Sequence, residues 1–127
     1  MPATSTTMKA AVCRQYGPPE VLRIEEVARP APAKREVLVK IHASTVNSSD
    51  WFIRSGLAGG PVTTRMMMRL LMGFTKPRRS ILGLVLAGEV VETGGAVERF
   101  RPGTRVYAFT KFRLGGYAQY TCLSESA

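Results

Sequence analysis

Side chains that bind transition metals are scarce in this chain. It has one histidine (His42), two cysteines (Cys13 and Cys122) and one aspartate (Asp50). The cysteines are far apart and form no C-x-x-C pair, which argues against a disulfide framework and against a zinc knuckle. We expect two reduced, partly buried thiols. Because no set of three or four ligands can be assembled, the sequence predicts no metal site.

The motifs of several enzyme classes are also missing. No G-x-S-x-G elbow is present to carry a hydrolase nucleophile. The spacing of Gly83 and Gly88 imitates a phosphate loop, but the chain continues into Glu89-Val90 where lysine and serine or threonine are required. No G-x-G-x-x-G follows a strand, so we predict no dinucleotide-binding fold within this chain.

Long hydrophobic runs are absent. The polar opening, residues 1–7, has no apolar core and is expected to be a flexible leader rather than a secretory signal. The longest apolar cluster, Met66 to Phe74, is interrupted by Arg69 and is too short to cross a bilayer. The sequence therefore predicts a cytoplasmic protein without a membrane partner.

Acidic residues are few compared with basic ones. The chain has 18 Lys or Arg and 9 Asp or Glu, a formal net charge of +9. Such a balance suits nucleic acid, an anionic membrane or a phosphorylated cofactor, and charge alone does not choose among them. The basic and aromatic residues from Arg99 to Arg113 are interpreted as the charged rim of a strand pair, and no nucleic-acid partner is expected.

Short strands joined by Gly/Pro turns dominate the pattern. Residues 8–13 and 21–27 are predicted to pair as a hairpin, and Val37, Val39, Ile41 and Ala43 alternate with polar residues in the clearest strand. Further strands are predicted at 82–92, 105–109 and 117–122, with Gly83 and Gly88 allowing close backbone approach or a bulge. The sequence predicts a mainly β fold with short helices, arranged as a small, partly open β-barrel.

Two short helices are predicted. Asn47 or Ser48 can cap the first, with Asp50 in its first turn and Gly56 at its end. Residues 65–72 form a Met-rich basic helix, for which a membrane or calmodulin-target role is one reading. We favour a flap whose methionines pack against a pocket or a partner domain.

Eight segments, in order, resemble the start of the medium-chain dehydrogenase/reductase superfamily, nearest to the quinone oxidoreductases. They are Met8-Lys9-Ala10, residues 16–22, 36–40, 46–50, 53–56, 86–90 and 100–106, and Gly115-Gly116-Tyr117-Ala118. The resemblance implies a GroES-like catalytic domain over residues 8–127. It also implies that a Rossmann domain, absent from this chain, binds most of the NADPH or NADH.

Departures from the family pattern shape the expected chemistry. Zinc-dependent members have a cysteine where this chain has Asn47 and a His-Glu pair where it has Leu84-Val85, so no zinc is expected. Without a Lewis acid, alcohol oxidation is disfavoured, and hydride addition to a quinone or an α,β-unsaturated carbonyl becomes the expected reaction.

The resemblance also assigns candidate site residues. Asn47 is expected to donate a hydrogen bond to the acceptor, Ser49 to relay a proton and Asp50 to hold the loop, while helix capping remains the alternative for Asn47 and Asp50. Asn47 and Ser48 are expected to contact the cofactor. Substrate-pocket walls are expected from Trp51, Phe52 and Met67, where Phe52 replaces a tyrosine common in quinone reductases.

Two classes of function stay open at this point. The favoured one is the substrate-side domain of a zinc-independent NAD(P)H oxidoreductase, inactive alone and homodimeric at full length. The other is a non-catalytic GroES-like fragment that acts as an interaction or regulatory module.

Overall fold

The computed structural model describes residues 6–56, 61–74 and 76–127. Its elements are β1 (Thr7–Cys13), β2 (Leu22–Ala28), β3 (Glu36–Ser44), α1 (Ser48–Arg54), α2 (Val62–Met72), β4 (Val85–Thr93), β5 (Arg105–Phe109) and β6 (Tyr120–Ser124), with 3-10 turns at Pro19–Val21 and Lys111–Arg113. The strands form two sheets that do not close. This confirms a mainly β, partly open barrel with short helices.

The first sheet is the predicted hairpin. β1 and β2 pair antiparallel from Cys13 opposite Leu22 to Thr7 opposite Ala28. β1 therefore begins at Thr7, the last residue of the predicted leader. Residues 1–5 of that leader lie outside the described residues. Backbone bridges from Ala10 to Ala118 and from Val12 to Ile81 connect β1 to the rest of the domain.

The second sheet has four antiparallel strands in the order β5-β4-β3-β6. β3 lies inside this sheet and is buried on both faces near its start, where Leu38 is buried as well as Val37 and Val39, whereas Ala43, predicted to share their face, is exposed. A Cβ atom on Gly88 of β4 would lie 2.1 Å from the Lys40 carbonyl oxygen, so the close approach predicted at Gly88 is confirmed.

Two element boundaries differ from prediction for a shared reason. Gly83 has φ +104°, and the Tyr117 amide donates to the Leu82 carbonyl at 2.9 Å. The backbones of residues 82–83 and 116–117 are thus engaged with each other outside the ladders. Accordingly β4 begins at Val85 rather than residue 82, and β6 at Tyr120 rather than residue 117.

The core has two parts. One fills one face of the four-stranded sheet with Val37, Val39, Leu86, Val90 and Leu123. The other joins the helices to the loops and comprises Cys13, Ile53, Met72, Leu82, Leu84 and Leu114. Cys13 and Cys122 are both free, as predicted, and they are buried rather than partly buried.

Candidate active site

The connection from β3 to α1 carries the predicted polar residues. Asn47 is the N-cap of α1 with extended backbone (φ −127°, ψ 178°), and its Oδ1 accepts hydrogen bonds from the amides of Ser49 (2.9 Å) and Asp50 (3.3 Å). Asp50 Oδ2 accepts in return from the Asn47 amide at 3.0 Å. This reciprocal capping box confirms the predicted helix start, with Asn47 as the cap.

Asp50 is the buried charge of this turn. Asp50 is only 3% exposed. Whereas Oδ2 is bonded to the Asn47 amide, Oδ1 is buried and has no hydrogen-bond partner among the described residues. A buried carboxylate oxygen without a donor is costly, so the groups that lie closest to this atom matter for the stability of the turn.

Tyr117 completes the surroundings of that carboxylate. Its hydroxyl donates to the Thr45 carbonyl oxygen at 3.3 Å. Burial first, and then the negative charge of Asp50, raise the pKa of the Tyr117 phenol, because both disfavour phenolate. The Tyr117 hydroxyl thus lies close to the Asp50 carboxylate as well as to the Thr45 carbonyl oxygen, and its interaction with Asp50 favours the protonated phenol.

The far end of α1 is attached to the loop after β1. The Arg54 guanidinium donates to the Gly17 carbonyl oxygen at 2.5 Å, and the Gly17 amide donates to the Arg54 carbonyl at 2.9 Å. Since Ile53 is also buried in the core, both ends of this two-turn helix are fixed. The capped turn is therefore held in one position relative to the sheet.

α2 is attached to the same loop by Arg69. Its guanidinium lies 4.9 Å from the centre of the Tyr16 ring and donates to the carbonyl oxygens of Gly56 and Phe74, each at 3.3 Å. The Tyr16 hydroxyl donates to the Gly73 carbonyl at 2.7 Å. The helix is confirmed but begins earlier than predicted, at Val62.

The positions that would hold a catalytic zinc do not fit that ion. Asn47 Oδ1 is already bonded to two amides, Leu84 is buried in the core and Val85 is aliphatic. Within the described ranges, no three His, Cys, Asp or Glu side chains come together as a metal site. The donor set at this junction therefore does not suit a metal ion, and we derive no step through one.

The structure brings together some of the predicted site residues and separates others. Asn47, Ser48, Ser49 and Asp50 share one turn, with the two serines exposed. Trp51 is 51% exposed and Phe52 is half-buried on the same helix. Met67 lies on α2 and is 59% exposed, so its predicted part in a pocket wall stays a prediction.

Sequence reasoning gave Tyr117 no role in the site. An open groove of about 510 Å³ beside the junction is lined by Tyr117, Ser44, Val46 and residues of the hairpin sheet, rather than by Asn47 or Trp51. The adjacent Gly115-Gly116 pair and the aromatic at 117 were visible in sequence. Nothing local to them, however, indicated an approach to Asp50.

Comparison with known proteins gives the following relatives. Residues 33–127 match the family described as alcohol dehydrogenase GroES-like domain. The chain is 34% identical to quinone oxidoreductase of Sus scrofa over 93% of this chain and 32% of that protein. It is 37% identical to the chloroplastic quinone-oxidoreductase homolog of Spinacia oleracea, over 87% of this chain and 30% of that protein.

Solved structures agree with those relatives. The quinone oxidoreductase of Coxiella burnetii superimposes with a TM-score of 0.75 at 32% identity, covering 95% of this chain and 36% of that one. The Escherichia coli quinone oxidoreductase complexed with NADPH gives a TM-score of 0.70 at 29% identity, covering 91% and 31%. The chain spans about a third of the length of the relatives it matches. No helix in the described ranges has the length and apolar character needed to span a membrane.

Proposed function

The chain belongs to the family of alcohol dehydrogenase GroES-like domains, and we propose that it forms the substrate side of a zinc-independent, NAD(P)H-dependent oxidoreductase that reduces quinones or α,β-unsaturated carbonyl compounds. The observation that carries this proposal is the capped turn at Asn47. Asn47 presents a side-chain amide at the position where zinc-dependent members of the family would have a cysteine ligand, and the exposed hydroxyls of Ser48 and Ser49 lie beside it. The quinone oxidoreductases among its relatives support the substrate class.

Asn47 is proposed to bind the acceptor oxygen. Because its Oδ1 is taken by two backbone amides, the side chain is oriented and its amide nitrogen is left without a hydrogen-bond partner among the described residues. A neutral, fixed N–H donor stabilises negative charge that develops on a carbonyl oxygen as hydride adds to the conjugated system. Capping and donation use different atoms of one side chain, so the two roles are compatible.

Ser49 is proposed to move the proton. Ser49 is exposed, and its hydroxyl makes no hydrogen bond within the described part of the chain. The hydroxyl is therefore available to a substrate oxygen or to water. Asp50 is proposed to fix the turn, since its Oδ2 holds the Asn47 amide. With the Tyr117 hydroxyl bonded to Thr45, Asp50 and Tyr117 together position Asn47 rather than react.

The turn also suits a nicotinamide cofactor. The free amide nitrogen of Asn47 and the exposed hydroxyl of Ser48 can bond a carboxamide group, and the net charge of +9 favours a phosphorylated dinucleotide. When bound, the reduced nicotinamide would supply the hydride. NADPH is proposed over NADH because the similar Escherichia coli structure is complexed with NADPH.

The walls of the substrate pocket are proposed to be Trp51, Phe52 and Met67. The two aromatic side chains offer flat apolar faces that suit a planar quinone ring. Phe52 carries no phenolic proton, so it can contribute packing but no acid. At full length the protein is proposed to be a cytoplasmic homodimer with a Rossmann domain, and no nucleic acid is expected to bind.

The test compares two forms of the protein for NADPH-dependent reduction of a quinone and an enone. One is this chain alone, and the other is a chimera in which it replaces the matching third of the Escherichia coli enzyme. Turnover in the chimera alone, lost in an Asn47→Ser chimera, supports the proposal. A folded chimera that binds NADPH but turns over neither substrate contradicts it and favours the interaction module.

A further inference from the structure

α2 is oriented with its apolar face toward solvent. Its inward positions are Arg65, Met68, Arg69 and Met72, of which Met72 is buried, and Arg69 makes the contacts to Tyr16 and Gly56. The outward side chains are all more than half exposed: Val62, Met66, Met67, Leu70 and Leu71, with Phe74 just beyond the helix. A surface helix normally has the opposite arrangement, so this face calls for a covering partner.

The segment of sequence that contains this face carries charge of one sign. Residues 57–88 contain five Lys or Arg and no Asp or Glu. Lys76, Arg78 and Arg79 follow the helix closely and are exposed. Lys76 and Arg79 form no ion pair within the described ranges, whereas Arg78 donates to the Leu70 carbonyl at 3.0 Å.

A groove beside the helix repeats this combination. It has a volume of about 390 Å³ and is lined by Leu71, Met72, Pro77, Leu114 and the two arginines Arg78 and Arg79. An apolar floor with guanidinium groups at its edge fits a molecule that has an acyl chain and an anionic headgroup. The helix face and the groove thus offer the same chemistry side by side.

We propose that the α2 surface, consisting of Val62, Met66, Leu70 and Leu71 of α2 with Phe74, Lys76, Arg78 and Arg79, docks on an anionic lipid bilayer. An exposed apolar helix face beside cations lies in the interface of such a membrane, with its apolar side chains among the acyl chains. The sequence analysis expected no membrane partner because no segment can cross a bilayer. A helix that lies on the surface needs no such span.

Other occupants fit less well. A second copy would bring two cationic surfaces together, which is unfavourable. A protein that wraps around a target helix would need α2 free on all sides, but Arg69 and Met72 attach it to the domain. A flat, negatively charged surface can reach the outer face without displacing those contacts.

The experiment is flotation of this chain with vesicles of phosphatidylcholine, and with vesicles of phosphatidylcholine mixed with phosphatidylglycerol. We expect binding to the mixed vesicles, little to phosphatidylcholine alone, and loss at about 1 M salt, where the screening length is about 3 Å. Leu70→Gln should weaken binding by about tenfold or more, since Leu70 is 63% exposed and would enter the acyl region. Lys76→Gln with Arg79→Gln should weaken it by roughly tenfold or more.

Matched controls separate this surface from general charge and apolarity. Ile24→Gln removes an exposed aliphatic side chain on β2, and Arg101→Gln with Arg105→Gln removes two exposed charges elsewhere; both should bind as the unaltered chain does. Circular dichroism should show every variant folded.

Absence of binding to mixed vesicles overturns the proposal, as does equal loss in the controls. Dimerisation of the chain that Leu70→Gln abolishes would assign the surface to a second copy instead. No cofactor or turnover enters these measurements, so they succeed or fail independently of the proposed reaction.

Discussion

Asn47 and Asp50 each accept a hydrogen bond from the other's backbone amide. The distances are 3.3 Å from the Asp50 amide to Asn47 Oδ1 and 3.0 Å from the Asn47 amide to Asp50 Oδ2. The pair fixes which atom of Asn47 faces the helix and which remains available. Structural and chemical roles of Asn47 can therefore be separated by substitution.

Asn47→Ser should keep the helix cap and lose the side-chain amide that is proposed to bind the acceptor oxygen. Serine is about as good an N-cap as asparagine, so the free energy of unfolding should change little, whereas Asn47→Ala should lose about 1 kcal/mol. In the active chimera, Asn47→Ser should lower kcat by roughly 10²-fold, as expected when a donor to developing charge is removed. Urea unfolding and steady-state rates check the two parts.

Unchanged kcat in both Asn47→Ser and Asn47→Ala, with stability lost only in Asn47→Ala, would reduce Asn47 to a helix cap. Ser48→Ala is the matched control for stability, because Ser48 lies in the same turn but accepts no amide hydrogen bond in the described structure. It should unfold at the same urea concentration as the unaltered chain.

Tyr117→Phe should loosen the support of the capped turn. It removes the hydrogen bond to the Thr45 carbonyl while keeping the ring, so a loss of about 1 kcal/mol is expected. Tyr107→Phe is the control, because Tyr107 is 89% exposed on β5 and should leave stability unaltered. Equal midpoints of urea unfolding for the two variants would show that the Tyr117 hydroxyl contributes nothing.

Local signals predicted much of the fold. The alternation of Val37, Val39 and Ile41 gave β3, and the cap-and-acid pair at Asn47 and Asp50 gave α1, because each signal lies within a few residues. The approach of Tyr117 to Asp50 joins residues far apart in sequence. It depends on backbone bonding between residues 82–83 and 116–117, which no local pattern contains.

α2 shows a different limit of sequence reasoning. Its methionines were expected to pack against a pocket or a partner domain, and in the structure Met66 and Met67 face outward while Arg69 faces the domain. Periodicity identifies the two faces of such a helix but does not say which one turns in. The choice is made by the Tyr16 ring and by free carbonyl oxygens at Gly56 and Phe74, whose positions follow from the tertiary fold.

Cys122 should stay protonated and unreactive in the folded chain. Burial, followed by the Glu36 charge, raises the pKa of this thiol from 9.0 to about 11. The unfolded chain releases the proton near its ordinary pKa and the folded chain holds it, so stability should fall as pH rises from about 9 to about 11. Urea unfolding at several pH values should show this decline, and it should be smaller in Cys122→Ala.

The same burial predicts slow reaction of both thiols with a disulfide reagent at neutral pH, and reaction of two thiols per chain in denaturant. Rapid labelling of Cys122 in the native chain would contradict the burial on which the pH prediction depends.

Gly88→Ala should disrupt the centre of the four-stranded sheet. A Cβ atom at this position would lie 2.1 Å from the Lys40 carbonyl oxygen, which is backbone and cannot rotate away as a side chain could. Relief requires β3 and β4 to separate next to the β3 register shift between Ile41 and Ala43, so we expect a loss of about 3 kcal/mol or more, or failure to fold. Gly95→Ala is the matched control, since nothing lies within 4 Å of its Cβ position and its φ is not positive; it should be neutral or slightly stabilising. Thermal unfolding of both variants measures the difference, and a Gly88→Ala chain as stable as Gly95→Ala would show that β3 and β4 are not packed as closely as described.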